Sequence, residues 1–496
     1  MQKIFLTSIL TIFMLVNINS SDKNRIVEVK SSNDPTISFR IMFNAGAQND
    51  PAGKEGLAYI TSEMISDGAT KVNSYEQVLE KLFPIAASIS VQCGREIVVV
   101  SGRIHKDNLK VYYDLFTQQV LTPAFNEDDF ARIKANTLSY LKNTLKYSSD
   151  EELGKALLYN TVYSGTAYAH PEQGTESGVN SITLNDVKSF YAKYYNRNNF
   201  VLGIGGGYDN TLTENLWTDL QKLNDGQAVT PVEIKAAKVS GRNLVVLNKS
   251  ANATAISMGY PISIVRGTRE WYALAVANSW FGEHRNSSSH LYQVIREQRG
   301  LNYGDYSYIE HYPNGGRLNK PPVNVPRRQH MFEVWIRPVP NETAHFALRA
   351  AVRELDLLIK NGLNKEDFEL TRNFLKKYIL HYAPTISKRL GYALDDKFYG
   401  LNKSHLQMFG EALSTMTLDE VNAAIKKYLQ SENLAIAVIA KDGDKLMKNI
   451  VEDLESPITY STPKESSVIE EDKSIIKYPL KISAKKAKLV ELDKIF

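Results

Sequence analysis

The stretch Gly53-Lys-Glu-Gly-Leu-Ala-Tyr-Ile-Thr-Ser-Glu-Met-Ile-Ser-Asp-Gly-Ala-Thr70 places Leu57, Ile60, Met64 and Ile65 at helical spacing. One face of the segment is therefore apolar and packs inward. Tyr59 and Glu63 are four residues apart and share a face, the arrangement by which a metal-binding helix presents paired ligands. A catalytic zinc ion takes three Cys, His or carboxylate ligands and keeps a fourth position open. Glu63 has ligand chemistry, whereas tyrosine at 59 is an unusual second ligand. Ser62 stands beside Glu63, where a carboxylate would have to take a proton from bound water, and serine alone does not do that work. The segment predicts a buried amphipathic helix without a working metal site.

At 496 residues the chain is too long for one compact core, and two domains of ordinary size are expected. Hydrophobic residues at 43% and charged residues at 23% describe a soluble globular protein. The formal charge of +4 is spread along the chain, with no basic stripe of the kind that binds nucleic acid. The 27 tyrosines suit a peptide-contacting cavity or a subunit interface, although compositional bias explains them equally well. Residues 1 to 20 have the layout of a secretory signal peptide: Lys3, an apolar run from Ile4 to Val16, then small Ser20 and Ser21. The run is short for a stable membrane anchor and no cysteine follows for lipid attachment, so a periplasmic or secreted location is expected. The single cysteine, Cys93, excludes an internal disulfide framework and is expected as a buried core residue in the stretch Ile89 to Val100.

Two segments match without a gap at an offset of 234 residues. Thr183-Leu-Asn-Asp-Val-Lys-Ser-Phe-Tyr-Ala-Lys-Tyr-Tyr, then Asn199-Phe-Val-Leu-Gly-Ile, pairs with Thr417-Leu-Asp-Glu-Val-Asn-Ala-Ala-Ile-Lys-Lys-Tyr-Leu, then Asn433-Leu-Ala-Ile-Ala-Val-Ile. Each opens on a threonine N-cap with an acidic residue three positions later. A helical apolar stripe follows, then a strand-like run and a Gly/Asp turn (Gly207 to Asp209, Asp442 to Asp444). The unit starts agree too: Thr36 to Phe43 leads into the Tyr59 helix, and Ala255 to Tyr260 leads into a helix around Ala273 to Trp280. A duplicated α+β fold follows, with a first unit over 24–230 and a second over 240–456. Residues 222 to 240 read as linker, and 457–496 as an extension in which Ile475 to Ile482 alternate like an edge strand.

The second unit carries Ser287-Ser-Ser-His-Leu-Tyr-Gln-Val-Ile-Arg-Glu-Gln-Arg-Gly-Leu-Asn-Tyr303-Gly. On residue types alone, Arg296-Glu297 before Gly300 is compatible with an ordinary helix C-terminus with a solvated face. Glu283, His284 and His290 lie close in sequence, but their spacing is not a zinc pattern. Gly203 to Gly207 ends a strand instead of opening a helix after one, so it is not a phosphate loop. Lys485, Lys486 and Lys488 are expected on a solvated face.

Taken together these segments resemble the pitrilysin/insulysin (insulinase, inverzincin) zinc peptidases over nearly the whole mature chain. The Gly53 to Thr70 stretch is similar to the family's "GLAH..EHM...GT", and Asp50-Pro51 to the turn before it. His170-Pro171, Gly174-Thr175 and Asp209 stand close to its "HPYG...GT" and "GD" marks, and Ser287 to Tyr303 is similar to "SSRL...LRE..GLAY". The resemblance makes Tyr59 and Glu63 the two former histidine-ligand positions and Ser62 the former general base. The third ligand position, 77 residues beyond Glu63, is Tyr140, and the run Arg132 to Leu145 contains no Asp or Glu. No metal is therefore expected on this chain.

In that family two units form a bowl, and two bowls enclose a peptide chamber. This chain would be one bowl, completed by a second chain. An arginine and a tyrosine seven residues later, here Arg296 and Tyr303, are expected to reach across the chamber to the scissile carbonyl and its oxyanion. The resemblance thus implies a non-catalytic subunit of a hetero-oligomer. Its partner would carry an intact His-x-x-Glu-His site and the zinc, and peptide would bind by strand addition to a sheet edge. A non-enzymatic structural protein of the same fold, or a peptidase active alone through an unorthodox site at Glu63, are the alternatives.

Overall fold

The structure, a computed structural model, describes residues 20–236, 238–313 and 318–496, and the expected signal segment up to residue 19 lies outside them. The first sheet contains β1 (Ile26–Lys30), β2 (Thr36–Phe43), β3 (Ile89–Cys93), β4 (Val98–His105) and β5 (Phe200–Gly206), in the order β1-β5-β2-β4-β3. The second contains β6 (Asn243–Asn248), β7 (Thr254–Ile262), β8 (Asp305–Tyr308), β9 (His330–Val339), β10 (Ala435–Ala440) and β11 (Ala487–Glu491), in the order β11-β6-β10-β7-β9-β8. Apart from β11 the two orders are the same permutation. In each sheet the first strand runs parallel to the last strand of the repeat, and the other repeat strands pair antiparallel. The duplication is therefore one of topology as well as sequence, and the fold is α+β with two open sheets.

The helices that set the architecture are α1 (Leu57–Ser66), α2 (Asp150–Val162), α3 (Leu184–Tyr194), α4 (Arg269–Gly282), α5 (Ile386–Phe398), α6 (Leu418–Tyr428) and α7 (Ser466–Ile476). Helices α3 and α6 start as the repeat predicts: Thr183 and Thr417 cap the N3 amides, while Asp186 and Glu420 return to the threonine N–H at 2.9 and 2.8 Å. The C-terminal segment differs from expectation. Ile475 and Ile476 end α7, Leu480 and Ile482 are buried in extended chain, and the edge strand is Ala487–Glu491, parallel to β6. The alternation after Ile476 reflects side chains burying on one side of a loop without a ladder partner.

Each unit sends one helix across to the other. Helix α2, from the first unit, packs on β7, β9 and β10 of the second sheet, and α5, from the second, packs on β1, β2 and β5 of the first. Strand alternation shows why both faces accept a helix. In β10, Ala435, Ala437 and Ile439 join the core shared with α2, whereas Ile436, Val438 and Ala440 join the second unit's own core. In β5, Leu202 and Ile204 point into the first core and Gly203 and Gly205 lie under α5. A Cβ on Gly205 would stand 2.9 Å from Ile386 Cγ2, and one on Gly203 would stand 3.0 Å from Leu394 Cδ1. The glycine-rich run is thus the floor on which α5 sits. Lys485, Lys486 and Lys488 are exposed, as expected.

Gly205→Val should destabilise the protein by about 1–3 kcal/mol through overpacking, read as a lower denaturation midpoint. Adding Ile386→Ala should restore part of the loss. Strictly additive effects of the two changes would contradict the packing of α5 on β5.

Candidate functional site

Helix α1 begins at Gly56, whose φ of +107° and lack of Cβ allow the chain to pass Gln173, where a Cβ would meet the carbonyl oxygen at 2.5 Å. Its free N–H groups are taken by Asp50, which accepts from Gly56 N and Ala58 N at 2.7 Å each. Leu57, Ala58, Ile60, Met64 and Ile65 are buried, as the spacing predicts. Ser62 is buried too, and its hydroxyl donates to the Tyr59 carbonyl at 2.8 Å, inside the helix itself. The former general-base position therefore faces its own backbone.

Tyr59 and Glu63 are half-buried one turn apart. Burial, and then Asp67, push the Glu63 carboxyl up to about 7, while a hydrogen bond with the Tyr59 hydroxyl pulls it down. Burial, and then Glu63, push the Tyr59 phenol upward, and the charges of Cys93 and Tyr140 act in the same direction, so these groups are neighbours. Tyr140, at the start of the π-helical turns Tyr140–Ser148, is pushed up to about 12 by burial and then by Glu172. The former ligand positions thus converge, but two neutral phenols and a carboxyl held by one of them do not make a zinc site. Among the described residues no group of three or more His, Cys, Asp or Glu is placed to hold a metal ion. His284 is engaged by the Tyr308 hydroxyl at 2.6 Å and the Leu318 carbonyl at 2.8 Å, whereas His290 pairs with Glu354 at 2.6 Å. The two histidines serve separate structural contacts.

Arg296 lies in the turns Tyr292–Glu297, ion-paired to Glu297 at 3.1 Å and resting 4.6 Å from the Tyr292 ring centroid. Tyr303 is 78% exposed, just before β8. Between them is a residue the sequence reading missed. Arg299 is fully buried and bonded to Asp472 at 2.9 Å, Glu471 at 2.8 Å and the Val294 carbonyl at 2.8 Å, which fastens this loop to α7. The adjacent acids Glu471-Asp472 were the available signal.

The sequence also gave no sign of a cavity of about 260 Å³ between the units. Tyr140, Tyr159 on α2, and Gln92 and Cys93 on β3 line one side; His311, Arg327 and Trp335 line the other. Cys93 is half-buried on this edge strand and packed against the first core, and burial pushes its thiol upward, away from nucleophile chemistry.

A profile of the family described as "Insulinase (Peptidase family M16)" matches residues 25–176, and one described as "Peptidase M16 inactive domain" matches residues 181–375. The chain belongs to the M16 family. A Helicobacter pylori protein named "Non-peptidase homolog YmxG" is 23% identical over 468 residues, covering 90% of this chain and 100% of that one. A Bacillus subtilis protein named "Uncharacterized zinc protease YmxG" is 19% identical over 426 residues, covering 84% and 97%. A crystal structure of a peptidase M16 inactive domain from Pseudomonas fluorescens superposes with a TM-score of 0.74 at 21% identity, covering 84% of this chain and 95% of that chain. Tyr59, Ser62, Glu63 and Tyr140 stand at the four positions that the resemblance to the zinc peptidases assigns to ligands and general base.

The Glu63 carboxyl gives this M16 helix a pH signature. Its folded value of about 7 lies above its ordinary 4.5, so folding favours the protonated form. The stability this contributes is complete below about pH 4.5 and is lost as pH rises through about 7. Glu63→Gln, neutral throughout, should gain stability relative to the natural chain across that window. Denaturant midpoints of both proteins from pH 4 to 8 that stay in constant ratio would refute it.

Proposed function

We propose that this chain is the non-catalytic subunit of a two-chain M16 peptidase. In this reading it supplies half of a peptide chamber and donates Arg296 and Tyr303 to a reaction centred on its partner. The observation that carries the reading is a contrast between the two units. The metal positions of the first are filled by groups that satisfy one another, whereas Arg296 and Tyr303 present a cation and a phenol at the surface of the second. A guanidinium and a hydroxyl aimed at developing negative charge stabilise a tetrahedral transition state directly. Residues 59, 62, 63 and 140 do not fit a zinc ion, so the zinc and the proton transfers are assigned to a partner bearing His-x-x-Glu-His.

Peptide would bind by adding a strand to β3. Among the described residues that strand pairs only with β4, and its other edge lies open beside α1. Exported residence in a periplasm or outside the cell is part of the proposal and rests on residues 1 to 20. No helix among the described residues is long and apolar enough to cross a membrane. The non-enzymatic reading is favoured by the name of the Helicobacter pylori relative, a non-peptidase homolog.

With the chain reconstituted alongside its zinc-bearing partner, Arg296→Ala should lower kcat by about 10²–10³-fold while complex formation is retained. Turnover and gel-filtration profiles measure the two effects separately. Unchanged turnover would remove the catalytic contribution. Full biological function after replacing both Arg296 and Tyr303 would support the non-enzymatic reading.

A further inference from the structure

The ladder between β8 and β9 ends in an irregular rung. Asp305 stands opposite Ile336, so Gly304 stands opposite Arg337. Arg337 N donates to the Gly304 carbonyl at 3.3 Å, as an antiparallel pair requires. The return bond runs through a side chain instead. Gly304 N donates to Asn302 Oδ1 at 3.2 Å, and Asn302 Nδ2 donates to the Arg337 carbonyl at 3.0 Å, which inserts a carboxamide between the two backbones. The orientation of the amide follows from its partners, since an N–H takes only an acceptor and a carbonyl only a donor. Nδ2 also donates to Asp305 Oδ1 at 2.7 Å. Asp305 is fully buried, and its other oxygen has no partner, so the carboxyl depends on Asn302.

Tyr303 lies inside this clip. Leu301 before it and Gly304 after it are buried, while Tyr303 itself is exposed. The backbone on either side is tied down, upstream by Arg299 to α7 and downstream by Asn302 to β9. Arg337, at the far end of the clip, pairs with Glu151 of α2 at 3.1 Å and so refers the clip to the first unit as well.

We propose that Asn302 is a positioning residue: its clip on Gly304, Asp305 and Arg337 sets the direction in which the Tyr303 hydroxyl is presented. The inference rests on the reading of Tyr303 as a donor to the partner's reaction. A donor to a developing oxyanion acts only where the charge appears, and a displacement of about 1 Å costs up to about 10²-fold in rate. Asn302 acts through Tyr303 alone, because both Nδ2 hydrogens and Oδ1 are already engaged within the chain.

Hydrogen exchange of the purified full chain, and turnover of a fluorogenic peptide by the chain reconstituted with its zinc-bearing partner, test this together. In Asn302→Ala, exchange of the Gly304 amide should quicken at least about tenfold while β10 stays protected. That variant leaves Asp305 buried and unpaired, so Asn302→Ala/Asp305→Ala, which removes both partners, guards against simple misfolding. In both, kcat should fall about tenfold with KM unchanged. Adding Tyr303→Phe to Asn302→Ala should lower kcat no further than Tyr303→Phe alone, and additive losses would overturn the positioning role. Unchanged exchange at Gly304 overturns it without any partner chain. A loss of kcat in Tyr303→Phe but in neither Asn302 variant overturns this inference and spares the reading beneath it. Full turnover in Tyr303→Phe overturns both.

Discussion

The structure depends on the crossing of two helices, α2 onto the second sheet and α5 onto the first. A sheet with apolar residues on both faces needs cover on both, and each unit's own helices supply only one. The six residues of β10 are all buried, and they divide by alternation between the core they share with α2 and the second unit's own. On the first sheet, Met42 and Val99 pack with Leu394 and Phe398 of α5 while their neighbours Ile41 and Val100 point the other way. Removing either crossing helix would expose one whole apolar face, so each unit relies on the other for cover.

The same crossing determines where polarity collects. Where α2 and α5 leave their own units, the seam is lined by groups that neither apolar core admits. Arg337 reaches Glu151 at 3.1 Å, Tyr163 donates to the His330 carbonyl at 3.2 Å, and Arg40 bonds Asn324, which holds Asp395. Glu96 accepts from Tyr168 at 2.6 Å and pairs with Arg328. Most of these charges are matched within the seam. Arg95 and Arg327 both face Glu172, and a cavity of about 260 Å³ remains beside them.

What the sequence disclosed was local in kind. The capping boxes at Thr183 and Thr417, the stripe of α1 and the repeat register depend on neighbours a few residues away, so they could be read directly. The partner of an apolar face could not. Periodicity marks which side of α2 is buried but not that the burying sheet is the other unit's. Alternate glycines at 203 and 205 were visible, yet they signal a close approach only once the approaching helix is known. Arg95, Arg299 and Arg327 were illegible for the opposite reason. A cation that is buried and paired over long sequence distances looks the same in one dimension as a surface cation. The misplaced edge strand shows a similar limit, since alternation after Ile476 records burial without recording a ladder.

The four altered positions make physical sense as a set. A carboxylate half-buried at Glu63 beside Asp67 is costly without a metal cation, and a histidine at 59 would offer it only a titrating ring. Tyr59 instead offers a phenol that stays protonated and donates to Glu63. Tyr140 adds a second ring, and Ser62 turns inward to satisfy its own helix. Histidine restored at 59 would leave at most a two-donor site and would remove the Tyr59–Glu63 contact. Nothing in the packing of Leu57, Ile60, Met64 and Ile65 depends on that contact, since these residues face the core from the other side of α1. The packing of α1 is thus independent of the chemistry at 59 and 63, because the two are carried by different faces of the same ten residues.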